Sequence, residues 1–277
     1  MSTLLEVNNL EVSYAGNRGG TAFKAVDNVS LTVRKGEVVG LVGESGSGKS
    51  SIGRAIVGLA PISAGAVLLN GEAIRNQRKA DRRSLARDVQ VIFQDPFSSL
   101  NPTMTIEKIL TEPLRAAGFS YLDSTSKVRK MLDSVGLPAD SLDRHPREFS
   151  GGQRQRIAIA RALTVEPKLI ICDEPVSALD LTTQAVVLEL MLDIQKETGI
   201  SYLFISHDLA VVKHVSHRIA VMKSGQIVEF GTNEEVNNRP VHEYTKKLLL
   251  AAPVADPVRQ LERRNQRLAA KLASPVL

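Results

Sequence analysis

The chain has 277 residues, 43% of them hydrophobic. That is long for one compact domain and short for two, so one core with an inserted or appended subdomain is expected. A formal charge of +5 over this length is mild and reads as a solvated mixed surface, not as the footprint of a nucleic-acid or anionic-membrane binder. A single cysteine, Cys172, excludes an internal disulfide framework and any multi-cysteine metal site, and no apolar run approaches the length of a membrane span.

The opening MSTLLEVNNLEV has no basic stretch leading into an apolar run, so a cytosolic chain is expected, with any membrane role supplied by a partner. LLEVNNLEVSY and VSLTVR read as short strands before Lys35-Gly36 turns the chain. EVVGLVG is then a short buried strand that runs into a glycine-rich loop, and KSSIGRAIVGL, from Lys49 to about Leu59, has helical spacing. SAGAVLLNG brings a turn and more strand, and DVQVIFQDP is a strand that ends at Pro96. From about 97 to 165 the pattern is mostly helical, as in IEKILTEPLRAAG and SKVRKMLDSVG. Strands return in KLIICDE, SYLFISH and RIAVMKSGQIVEFG, the last a hairpin around Ser224-Gly225. An α/β core interrupted by a helical insertion fits this order. The tail after about 236, with Pro240, Pro253, Pro257 and the arginine-rich VRQLERRNQRLAAKLA, reads as an appendage outside the core.

Residues 43–51, GESGSGKSS, match G-x-x-x-x-G-K-[ST] with a strand before and a helix after. Gly43, Gly46 and Gly48, with Glu44, Ser45 and Ser47 between them, let successive backbone N–H groups wrap phosphate oxygens. Lys49 adds a point charge, and the helix that begins with Ser50 and Ser51 adds its dipole. The Ser50 hydroxyl suits Mg²⁺. This loop explains a second oddity: the apolar LII ends on two adjacent acids, Asp173 and Glu174, where even one buried charge is costly. A nucleotide's Mg²⁺ needs a carboxylate at a neighbouring strand end, which suits Asp173, and Glu174 is then free to orient or deprotonate the attacking water. In FSGGQRQRIAIARAL, Ser150 is placed to cap a helix whose first N–H groups Gly151 and Gly152 leave unobstructed, with Gln153 following, and such a terminus is an anion site.

Phosphate loop, SGGQ helix start and Asp-Glu strand end, in this order, resemble the nucleotide-binding subunit of ATP-binding cassette (ABC) transporters. The resemblance covers nearly the whole chain. It implies a P-loop NTPase (ABC ATPase) core with an antiparallel β subdomain, an inserted helical subdomain and a short C-terminal extension, divided at 235/236. It further implies that Tyr14 stacks on adenine, that Gln94 of FQDP touches Mg²⁺ and the membrane partner, and that Asp180, ending SALD, lies between subunits. His207 of ISHD matches the histidine that senses the γ-phosphate. Phe149 stands where the family more often has leucine, a conservative apolar change. His214 and His217 lack a completing carboxylate or cysteine and read as structural. In this family two cassettes sandwich two ATPs, the SGGQ helix of each capping the phosphate held by the other.

FQDPFSSLNPTMTI and RPVHEYTKKLLLAAPVADP resemble the peptide and nickel importer branch, and within it the F-type subunit of dipeptide and oligopeptide permeases. The resemblance implies ATP and Mg²⁺ as ligands, a second related or identical ATPase, two transmembrane permease subunits and an extracytoplasmic substrate-binding protein, with no nucleic acid. The chain would sit peripherally at the cytoplasmic face of the membrane. The tail has no cysteine, so the iron-sulfur cluster of some relatives cannot be built on it. The alternatives are an importer of nickel or another small solute, and a soluble cassette ATPase of DNA repair or translation. The latter class usually carries two cassettes, or coiled-coil or zinc insertions, which are not found here.

Overall fold

The computed structural model of the protein describes residues 2–15, 23–74, 79–95 and 99–251. Pro96 and the arginine-rich pattern after Pro253 lie outside the described residues. Two sheets lie at the centre. In the first, β1 (Thr3–Tyr14) pairs antiparallel with β2 (Phe23–Arg34) and β4 (Ile62–Leu69), and β5 (Glu72–Ala73) closes the edge, giving the order β2-β1-β4-β5. β1 matches the expected LLEVNNLEVSY to within one residue, whereas β2 begins at Phe23, ahead of the expected VSLTVR, and several irregularities are absorbed in their pairing. Asn9 and Asn28 both take left-handed φ, 48° and 52°, and their side-chain amides pair at 2.8 Å across the register shift. Asparagine tolerates that conformation, so the ladder passes through a bulge instead of stopping.

The second sheet has the order β10-β9-β3-β8-β7-β6. Its strands β3 (Val38–Val42), β6 (Val89–Ile92), β7 (Leu169–Asp173), β8 (Ser201–Ser206) and β9 (Arg218–Lys223) are parallel. β10 (Gln226–Thr232) returns antiparallel through Ser224 and Gly225, at φ 47° and 85°. The parallel strands are near-continuous apolar runs because both faces are covered. Alternate residues divide between two cores: Val39, Leu41, Ile171, Leu203 and Ile205 face helix α1 (Lys49–Ile56) and the first sheet. Val38, Val42, Cys172, Tyr202 and Phe204 face the helical side. Cys172 is a fully buried free thiol, and burial pushes its pKa up, which suits an inert core residue.

Helix α2 (Lys79–Asp88) precedes β6. Between β6 and β7 the described chain is helical, as expected: α3 (Ile106–Ala116), α4 (Tyr121–Ser134), two short 3-10 turns (Ala139–Asp143 and Pro146–Glu148) and α5 (Gly151–Leu163). The remaining helices are α6 (Leu181–Thr198), α7 (Leu209–Val215), α8 (Asn233–Asn238) and α9 (Glu243–Ala251). In the middle of β3, Gly40 is where α7 touches the sheet: a Cβ there would overlap Val212 Cγ1 and Ser216 Oγ. Gly40→Ala is expected to lower unfolding stability by about 1–3 kcal/mol, read as a shifted urea midpoint. An unchanged midpoint would mean that this contact is not tight.

The tail departs from the expected appendage in its first part. Val236 and Tyr244 are buried in the helical-side core, 1% and 8% exposed, and Leu248 and Leu249 pack against it. Helix α8 packs on β9 and β10, so this part of the tail belongs to the core.

Candidate functional site

The loop between β3 and α1 is shaped by glycine. A Cβ on Gly43 would overlap the Met222 carbonyl of β9. Gly48 sits at φ 103° where a Cβ would overlap the Ala25 carbonyl, a conformation and a space that exclude other residues. Within the loop the buried Lys49 ammonium donates to the Gly43 and Glu44 carbonyls, each at 2.7 Å, and to Ser47 Oγ at 3.3 Å. Burial lowers the Lys49 pKa, opposed by the charges of Glu174, Asp173 and Glu44. A cation so placed, beside backbone N–H groups at the start of a helix, can take the charge of a phosphate.

Two neighbouring strand ends supply the acids. Ser50 Oγ donates to Asp173 Oδ1 at 2.8 Å, which aligns two hard oxygens from α1 and β7 on one point. Burial raises the Asp173 pKa, the Ser50 hydrogen bond opposes this, and the Glu174 charge adds to the rise. A desolvated carboxylate paired with a hydroxyl suits Mg²⁺, which takes one or two protein oxygens and leaves its other positions to phosphate and water. Among the described residues no group of three or more His, Cys, Asp or Glu could hold a metal ion.

Glu174 leaves the strand at φ 50°, left-handed for a non-glycine residue, and its N–H donates to the Ile205 carbonyl of β8 at 2.9 Å. Such a conformation costs of order 1–3 kcal/mol and persists where the surroundings impose it. The turn swings its carboxylate away from Asp173 toward His207, whose Nδ1 lies 3.0 Å from Glu174 Oε2. The ring is half exposed and the carboxylate mostly covered. The two residues lie in separate sequence motifs, CDEP and ISHD. Only the parallel pairing of β7 with β8, Asp173 opposite Ile205, brings them together.

Tyr14 ends β1, and its hydroxyl donates to Ser51 Oγ at 3.2 Å, tying the ring to the end of the phosphate loop. Gln94 is exposed in the bend two residues beyond β6, the strand paired with β7. An open groove of about 840 Å³ reaches the preceding residue, Phe93, and is bordered also by Leu59, Glu112 and Pro113 between the sheet core and α3. Ser150 caps α5 in a reciprocal box: its Oγ accepts the Gln153 N–H at 3.3 Å, and Gln153 Oε1 accepts the Ser150 N–H at 2.9 Å. Phe149 is buried, with the Arg144 guanidinium 4.4 Å from its ring centre. Among the described residues, no hydrogen bond or ion pair joins positions 150–153 to the phosphate loop of the same chain.

Asp180 caps α6: its carboxylate accepts the Thr183 N–H at 3.0 Å and the Thr183 hydroxyl at 2.7 Å, bonds that lower its pKa. Thr183 in turn closes on Gly152, where a Cβ would overlap its Cγ2. The structure thus links Asp180 to the start of α5 through Thr183. An Asp three residues before Thr183 is a helix N-cap signal, but no local pattern points to the contact with Gly152. His217 Nδ1 accepts the Val38 N–H at 3.0 Å, and His214 Nε2 lies 2.7 Å from Glu189.

The family description "ABC transporter" matches residues 26–177. The chain belongs to the ABC transporter family. Within it, the chain is 49% identical over 276 residues to the oligopeptide transport ATP-binding protein OppF of Lactococcus lactis subsp. lactis, covering 97% of this chain and 86% of the relative. To OppF of Salmonella typhimurium it is 48% identical over 282 residues, covering 99% and 84%. Among solved structures, cbiO1 of Clostridium perfringens, part of the ABC transporter complex cbiONQ, superposes with a TM-score of 0.76 at 25% identity, over 99% of this chain and 100% of that one. A dimeric ATP-binding cassette in a post-hydrolysis state, bound to ADP and Pi, superposes with a TM-score of 0.74 at 27% identity, over 83% and 99%. The P-loop NTPase core of an ABC ATPase is therefore the fold. Among the described residues of this ABC chain, no helix is long and apolar enough to cross a membrane.

Proposed function

We propose that the chain is the ATP-binding and hydrolysing subunit of an ABC importer of di- or oligopeptides, held at the cytoplasmic face of the membrane by two permease subunits and paired with a second cassette. An extracytoplasmic binding protein would deliver the cargo. Residues 1–235 form the nucleotide-binding domain in this reading and 236–277 its extension. The observation that carries the chemistry is the strand-end constellation: Ser50 on Asp173 at 2.8 Å, beside Glu174 with His207 at 3.0 Å, next to the buried Lys49. The names and near-complete coverage of the relatives support the cargo class.

Bound Mg-ATP supplies the phosphoanhydride bond that water cleaves. Ser50 Oγ and Asp173 Oδ1 would hold Mg²⁺, with Gln94 approaching from the end of β6. Lys49 and the N–H groups of the loop hold phosphate charge, and Tyr14 offers a ring for adenine. Glu174 Oε2 accepts a proton from the attacking water, and His207 orients that carboxylate. Residues 150–153 and Asp180 serve the partner's nucleotide across the dimer seam, and the groove at Phe93 receives the membrane subunit.

Lys49→Ala tests the reading. Removing a charge-assisted contact to phosphate should weaken Mg-ATP binding in calorimetry by about tenfold or more. Uptake of labelled dipeptide in cells relying on this chain should fall to background. Unchanged affinity would overturn the nucleotide site, and intact peptide uptake after deletion of the chain would overturn the cargo.

A further inference from the structure

The chain that leaves β10 at Thr232 comes back to the phosphate loop. After α8 it crosses to β10, where Glu229 accepts the Val241 N–H at 2.8 Å on one carboxylate oxygen and the His242 N–H at 3.1 Å on the other. His242 Nδ1 then accepts the Tyr244 N–H at 3.0 Å, which sets the first turn of α9, and Thr245 is fully buried beneath it. The Tyr244 ring lies under Lys223 Nζ, 5.2 Å from its centre, and is 8% exposed. Its hydroxyl accepts the Glu44 N–H at 3.2 Å, a contact between residues 200 positions apart.

Glu44 is the second residue of the phosphate loop, and its carbonyl accepts both the Lys49 ammonium at 2.7 Å and the Ser47 N–H at 3.2 Å. One residue is therefore held on its N–H by Tyr244 while its carbonyl holds the lysine. Gly46 follows at positive φ with open space where a side chain would stand, so the backbone between Glu44 and Ser47 has few steric limits of its own. We infer that Tyr244 is a positioning residue of the phosphate loop, which makes the start of the C-terminal extension a working part of the nucleotide site. This inference rests on the reading of residues 43–51 as the ATP phosphate site.

The test uses the full chain and two readouts. Tyr244→Phe keeps the ring and its contact with Lys223 and removes only the accepting oxygen. Hydrogen exchange at the Glu44 amide, followed by NMR without nucleotide, should speed up about fivefold or more. The Kd for Mg-ATP should rise about fivefold, the scale of one neutral hydrogen bond. In a Glu44→Pro background, which has no N–H to give, Tyr244→Phe should add nothing to the Kd. Equal Mg-ATP affinity of wild type and Tyr244→Phe would overturn this inference alone, as would an unchanged Glu44 exchange rate or an undiminished effect in the Glu44→Pro background. Absence of Mg-ATP binding by the wild-type chain would instead remove the nucleotide reading and this inference with it.

Discussion

Glu174→Gln is expected to bind Mg-ATP as the wild type does and to turn over about a hundredfold more slowly or worse in the assembled transporter, the scale of general-base and positioning effects. The geometry isolates the change to proton transfer. Ser50 is bonded to Asp173, not to Glu174, so the oxygens offered to Mg²⁺ stay in place. Glutamine keeps the side-chain length, and the backbone at φ 50° remains fixed by the Ile205 carbonyl. An amide oxygen can still meet His207, but it cannot take a proton from water at neutral pH. Binding without cleavage should hold two cassettes together on ATP, seen as a dimer in size-exclusion chromatography that should be more persistent than any the wild type forms. Turnover at the wild-type rate would remove Glu174 from the base role, and loss of ATP binding would mean that its carboxylate serves the metal.

The parts of this site that lie close in sequence, or that end apolar strands, were legible before the structure. β3 and β8 read as buried strands because they are apolar on both faces, and Asp173 and Glu174 stood out because they break such a run. Helix α6 escaped reading for the opposite reason. Its apolar residues circle it, so no stripe marks the core side, and Leu181 and Val186 are exposed while Val187, Leu188, Met191 and Ile194 are buried. Helix α2 escaped because it is largely charged. Glu174 and His207 meet only through the pairing of two parallel strands, and Tyr244 reaches Glu44 only through the path of the whole tail. No local pattern encodes either contact, since neither stabilises a helix or strand of its own.

Gly151→Asp should abolish hydrolysis at one composite site and leave the chain folded. The two glycines at the start of α5 are not equivalent. A Cβ at Gly152 would strike Thr183, whereas at Gly151 the nearest atom is Leu179 Cδ2 at 3.4 Å, an ordinary contact. An acid in the first turn of a helix is also favourable to that helix, so the substitution should not lower the unfolding midpoint. Its harm is to a ligand: a carboxylate at this terminus competes with the phosphate that the helix of one cassette would cap on the other, in a poorly hydrated seam. Mg-ATP affinity at the mutant's own phosphate loop should survive, because no bond joins the two regions among the described residues of one chain. The decisive measurement combines Gly151→Asp with Lys49→Ala in mixed dimers with the partner cassette. Placed on opposite chains, the two lesions meet in one composite site, and the other site should still hydrolyse ATP. Placed on the same chain, they strike different sites, and hydrolysis should fall to background. If activity instead survives when one chain carries both lesions and is lost when they are divided, the α5 terminus acts on its own chain's nucleotide, and the sandwich arrangement does not describe this protein.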